Sequence, residues 1–288
     1  MKITRVETQR CKVGEGPLWD VAEQALYFVD IVGRLVLRHD PATGETRSWP
    51  VPGTIGSMAL RAGGGAIVAL PDGIYTLDFA SGETAPLALP GGLDPRVQFN
   101  DGKVDRRGRF VVGSTDSKME QPIGDIFSLG SDGALSIIGR GICISNGPCW
   151  SPDDSIFYFS DSIPYTTYAF DYDIATGTAQ NRRVFANTTD LGGFPDGTTV
   201  DADGLVWMAL CEGAKVVAFR PDGKVERIVD MPVKLPASVM FGGPYLDRLY
   251  VTSIDPAALG RPSQPDDGHM FVIDGLGVRG LPEPRYAG

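Results

Sequence analysis

The sequence is poor in the residues that most enzymes use for chemistry. It has two histidines in 288 residues, His39 ahead of a turn (HDPATG) and His269 at the start of a late strand. Neither occupies a recurrent position, which excludes a histidine-centred triad and a three-histidine metal site. The four cysteines, Cys11, Cys143, Cys149 and Cys211, form no CxxC pair. Their spacing does not suit a zinc site, and four reduced thiols are expected. A GxSxG elbow, an HExxH helix and a glycine-rich phosphate loop are all missing. No apolar run is long enough to span a bilayer, and the first ten residues, MKITRVETQR, are polar. A cytoplasmic protein with no membrane partner is therefore expected. Positive charge is scarce as well: the net charge is −10. That disfavours nucleic acid as a partner, because phosphate binding needs clustered Lys and Arg.

A sustained 3.6-residue apolar period is also absent, and strand patterns take its place. Segments such as ALYFVDI, GAIVAL, RFVVGS, SIFYFSD, LVWMAL and RLYVTS are rich in β-branched and aromatic residues. Turn signals separate them: DPATGET, DFASGET, GSDGAL, DIATGTA, RPDGKV and IDGLGV. One phrase recurs six times, an apolar strand followed by a tight turn and a second apolar strand. Its copies are marked by Glu15, Ser57, Asn100, Asn146, Asp196 and Met240, in steps of 42, 43, 46, 50 and 44 residues. A period in the forties with several strands per unit predicts an all-β, six-bladed β-propeller. Six blades use up residues 1–288 as one closed domain. The segment TRVETQ is expected to close the ring as the outer strand of the last blade, whose own strands are expected over about residues 246–281. RGLPEPRYAG is then left as a trailing edge. The segment 115–124, TDSKMEQPIG, reads as a rim loop and a candidate lid over the channel mouth.

The ring geometry decides which residues can act together. Taken singly, Glu15 in GEGP is a rim carboxylate, and Asp196 in FPDGT, Asn146 in ISNGP and Asn100 with Asp101 in FNDGK are turn residues. A propeller, however, brings Glu15, Asn100, Asn146 and Asp196 to one channel mouth. Two carboxylates and an amide oxygen suit a hard divalent cation, with open positions left for water and substrate.

The phrases GEGPLWD, FNDGKVDRRGR, ISNGPCWSPD, PDGTTVDADGLVW and FGGPYLDRLYVTS together resemble the SMP-30/gluconolactonase/LRE-like family, in order and nearly across the chain. Within that family the chain is most similar to bacterial sugar lactonases. The resemblance implies a six-bladed propeller with one divalent ion (Ca2+, Zn2+, Mn2+, Mg2+ or Fe2+) in its channel. It also implies hydrolysis of a sugar lactone to the aldonic acid. The family's metal ligands fall on Glu15, Asn146 and Asp196, and its substrate-contacting asparagine on Asn100. Two positions depart from the family pattern. A substrate-binding arginine is Gln98 here, with Arg96 the nearest arginine, and an acidic lid residue aligns with Lys118, close to Glu120. Asp196 is the expected general base as well as a ligand. The expected partner is a small sugar lactone, and the expected state is a monomer or small homo-oligomer. Another ester or phosphotriester hydrolase on the same scaffold is an alternative, as is a metal-binding propeller without a substrate.

Overall fold

The computed structural model describes residues 1–288. Six four-stranded antiparallel sheets follow one another along the chain as the blades of a β-propeller. Their innermost strands are Gly14–Asp20, Ser57–Leu60, Val97–Val104, Ser145–Trp150, Phe194–Val200 and Pro236–Gly242, for blades 1 to 6. Helix is confined to two 3-10 turns, Thr189–Leu191 and Pro256–Leu259. No helix is long and apolar enough to cross a membrane.

The core sits between blades. Each of six hydrophobic clusters joins residues of two adjacent blades, for example Tyr27 and Val29 of blade 1 with Met58 and Val68 of blade 2. A blade is therefore buried on both faces. This explains why strands such as Ala25–Asp30 are buried at every position and show little polar alternation.

Lys2–Val6 pairs antiparallel with Met270–Asp274 as the outer strand of blade 6. The remaining strands of that blade begin earlier than expected, at Pro236–Gly242 and Arg248–Ser253.

The C-terminal segment departs from the sequence expectation. It is not a trailing edge; it runs across the closed end of the channel and touches blade after blade. Gly280 N donates to Leu246 O in blade 6, and Ala202 N, in the turn after the inner strand of blade 5, donates to Arg279 O. Tyr286 N donates to Leu60 O in blade 2, and Ala287 N donates to Gly108 O in blade 3. Arg285 pairs with Asp20 of blade 1. Tyr286 is only 1% exposed, and its hydroxyl donates to Gly130 O at 2.8 Å. The segment is polar and rich in proline, so it lacks strand periodicity, and its burial is decided entirely by where the blades leave room. It leaves two cavities of about 20 Å³ around Lys103, each about the size of one water molecule.

Candidate functional site

The site is built from irregularities in the inner strands. In five of the six blades the pairing of the innermost strand with its neighbour slips. The slips lie between Glu15 and Leu18, Phe99 and Gly102, Asn146 and Cys149, Pro195 and Thr198, and Pro236 and Val239. Such bulges re-aim the side chains at the slip. The sequences FPDGT, ISNGP and FNDGK, which read singly as turns, thus lie inside strands. A bulge asks for residues much like those of a turn, as Gly147 shows with its φ of +59°. Gly197 is glycine for lack of room: a Cβ there would fall well inside van der Waals contact with Ser238 Oγ of the next blade.

Four blades carry a polar residue followed by glycine at the bulge: Glu15-Gly16, Asp101-Gly102, Asn146-Gly147 and Asp196-Gly197. All four polar residues are buried, between 6% and 8% exposed. In blade 3 the slip between Phe99 and Gly102 holds two polar residues, Asn100 and Asp101, of which Asp101 is the one followed directly by glycine. Met240, the mark of the sixth copy, lies beyond its bulge and packs in the apolar cluster with Trp19 and Tyr250.

These residues meet one another. The Glu15 and Asp196 carboxyls are within hydrogen-bonding reach, and the Asp101 charge acts on both. Asp101 bridges two blades, accepting from Gly102 N and Gly147 N, each at 2.8 Å. The Asn100 amide donates to Ser145 O at 2.8 Å and to Asn146 Oδ1 at 3.3 Å. Cys211 lies beside Asp196, an approach that the sequence did not suggest. All four cysteines are free, and His39 is occupied with Thr46 Oγ1, away from the cluster.

The electrostatics are unbalanced. Burial first, and then the Asp196 and Asp101 charges, hold Glu15 well above the usual carboxylate range. Burial and Asp101 do the same to Asp196. Asp101 is raised by burial, against the opposing pull of the Lys103 ammonium and its two backbone donors. Lys103 is also engaged elsewhere: Nζ donates to Thr198 O at 2.9 Å and lies 3.8 Å from Glu283. Three buried carboxylates, with one ammonium acting on Asp101 alone, form a cluster that favours a further positive charge. The donors are all oxygen, which fits a hard divalent cation. No group of three or more His, Cys, Asp and Glu side chains is placed to hold a metal by itself. The set named from the sequence takes its third ligand from an amide, Asn146.

The remaining residues named from the sequence lie around the mouth. Gln98 is half-buried and pairs with Thr115 across the strands of blade 3. The rim loop covers residues 117–123, shorter than expected because Thr115, Asp116 and Gly124 belong to strands. Its shape is set by the Asp116 carboxylate, which accepts from the backbone N–H groups of Lys118, Glu120 and Gln121. The Lys118 and Glu120 side chains are exposed on this loop and take no part in the buried cluster. Arg96 is held at the loop's base, 3.3 Å from Gln121 Oε1 and 3.8 Å from Asp116.

Comparison with known proteins agrees with this architecture. Residues 13–255 match the model of the SMP-30/Gluconolactonase/LRE-like region. Regucalcin of Xenopus laevis is 36% identical, over 100% of this chain and 99% of the relative. The solved structure of a calcium-binding protein, regucalcin of Agrobacterium tumefaciens, superposes with a TM-score of 0.90 at 27% identity. That match covers 99% of this chain and 97% of the other. A luciferin-regenerating enzyme superposes with a TM-score of 0.91 at 28% identity, over 100% of this chain and 99% of the other.

Proposed function

The chain belongs to the SMP-30/gluconolactonase/LRE-like family, and on that premise we propose that it is a metal-dependent lactonase that opens a sugar lactone to the aldonic acid. The observation that supports this most is the group of oxygen donors that the bulges of blades 1, 3, 4 and 5 bring together, rich in negative charge and buried. Glu15, Asn146 and Asp196 would hold a divalent ion, which as a Lewis acid polarises the lactone carbonyl and stabilises the oxyanion.

The chain's own residues supply the rest. Asp196 takes the proton from the attacking water. A carboxylate held next to the attacking water is the right kind of group for this task. Asn100 has both its bonded contacts on the amide nitrogen, which leaves Oδ1 to accept from a sugar hydroxyl. Gln98 follows at the mouth, and Lys118 and Glu120 on the rim loop reach a substrate from above. Burial of the cluster excludes bulk water and so strengthens each of these interactions.

The test is an acid-release assay on metal-stripped protein with gluconolactone, xylonolactone, arabinonolactone and galactonolactone, adding back each divalent ion in turn. Metal-dependent hydrolysis above the spontaneous rate is expected for at least one pairing. No acceleration with any pairing, in folded protein, would overturn the reading. Glu15→Gln is expected to weaken Ca2+ binding about tenfold or more by calorimetry, because a charged ligand becomes a neutral one. Unchanged affinity would remove Glu15 from the ligand set.

A further inference from the structure

A hydroxyl behind Asn146 fixes which end of that amide faces the channel. Ser162 is buried, 4% exposed, just past the second strand of blade 4, and its backbone N–H donates to Ile144 O at 3.0 Å. Its Oγ lies 2.9 Å from Asn146 Nδ2 and 2.8 Å from Pro195 O, the carbonyl directly before Asp196.

Proton bookkeeping gives these contacts a direction. A backbone carbonyl can only accept, so the single hydroxyl proton of Ser162 goes to Pro195 O. Ser162 then has only lone pairs to offer Asn146. The amide must turn its NH2 toward Ser162 and present Oδ1 on the other side. A second carbonyl sets the same direction from blade 3. Ser145 O accepts from Asn100 Nδ2, and the same NH2 meets Asn146 Oδ1 at 3.3 Å. Two groups that can only accept therefore leave a single orientation for the chain from Asn100 through Asn146 and Ser162 to Pro195. An amide turned the other way would point NH2 at a cation and leave Oδ1 facing the lone pairs of Ser162.

We propose that Ser162 is a positioning residue: it orients the Asn146 amide for metal binding and ties it to the backbone that carries Asp196. The inference rests on the ligand set assigned above. Groups behind a metal ligand commonly contribute 10- to 100-fold in affinity. Ser162→Ala is therefore expected to weaken Ca2+ binding to metal-stripped, full-length protein about tenfold by calorimetry, with the metal-free protein still folded and its melting temperature lowered no more than in a matched buried-hydroxyl variant.

Ser160→Ala is the control for loss of a buried hydroxyl. Ser160 is fully buried on the same blade, and its Oγ pairs with Thr167 Oγ1 at 2.8 Å, not with Asn146. Its affinity for Ca2+ is expected to match wild type. If Ser162→Ala does not fold, Ser162→Cys carries the test, since a thiol keeps the volume but is a weak acceptor and donor; a several-fold loss is expected. Wild-type affinity in a folded Ser162 variant, or an equal loss in Ser160→Ala, overturns the proposal. Asn146→Ala separates the two levels. If it loses Ca2+ while Ser162→Ala keeps it, only the role of Ser162 fails. If Asn146→Ala also keeps it, the ligand set itself is wrong.

Discussion

Asp196→Asn is expected to lower kcat/KM for the lactone by about a thousandfold or more while leaving the propeller folded. Asparagine has nearly the shape of aspartate, and its amide can still bond to Glu15, which the Asp196 carboxyl reaches. Thr198 Oγ1 donates to Asp196 O at 2.9 Å, a bond that the substitution leaves in place. The losses are one negative charge on the cation and the group that accepts the proton. A positioned general base alone is worth about 10² to 10⁴ in rate, and the weakened cation adds to that. A second readout separates chemistry from folding. Glu15 and Asp196 bind protons more tightly in the folded state than in the unfolded chain, because burial and mutual repulsion disfavour their charges. Raised carboxylates contribute stability that is lost as pH rises through their folded values. The melting temperature of metal-free wild type should therefore fall as pH rises through that range, and that of Asp196→Asn should fall less. Near-normal turnover in the variant would remove Asp196 from the mechanism.

Tyr286→Ala is expected to cost about 3 to 5 kcal/mol of stability, the usual range for removing a large buried aromatic. For a chain of this size that corresponds to a drop of roughly 10 °C in melting temperature. The ring packs in the cluster between blades 2 and 3, beside Phe110 and Leu129. The backbone on either side bonds to Leu60 and Gly108. Tyr286→Phe keeps the packing and loses only the bond to Gly130 O, so it should cost about 1 kcal/mol. Thermal melts of the two variants side by side check both values. A frayed terminus would give changes within about 0.5 kcal/mol for each, and that result would contradict the structure's placement of the tail.

The contrast between the tail and the blades shows what a reader of the sequence could see. The blades repeat, and their strands carry β-branched residues over lengths that suit nothing else. Six hairpin turns therefore count six sheets, and the polar TRVETQ can be matched to the open edge of the last one. Glu15, Asn146 and Asp196 were legible for the same reason, since a repeat makes distant positions equivalent. In blade 3 the sequence offers two adjacent polar residues, Asn100 and Asp101, and the structure buries Asp101 against Gly147 while Asn100 bonds to Asn146. Ser162 has no motif at all, because the role proposed for it comes from a carbonyl of the neighbouring blade, Pro195 O. The tail was illegible because Pro282 and Pro284 suppress strand pairing and leave nothing periodic to read. The end of the channel that it fills exists only once the ring has formed.

The pairing of Lys2–Val6 with Met270–Asp274 has a consequence for vectorial synthesis. The strand Lys2–Val6 leaves the ribosome long before its partner, Met270–Asp274. Blades 1 to 5 can assemble in order as they emerge, but the ring cannot. Until blade 6 arrives, the flank of blade 1 that carries Leu26, Phe28 and Leu37 has no Met240 or Tyr250 to cover it. The nascent chain thus carries an open apolar flank until blade 6 is made, and sequence-distant pairing of this kind forms slowly. A transcript truncated before the codon for Pro236 would yield a chain with five complete blades and an adhesive flank.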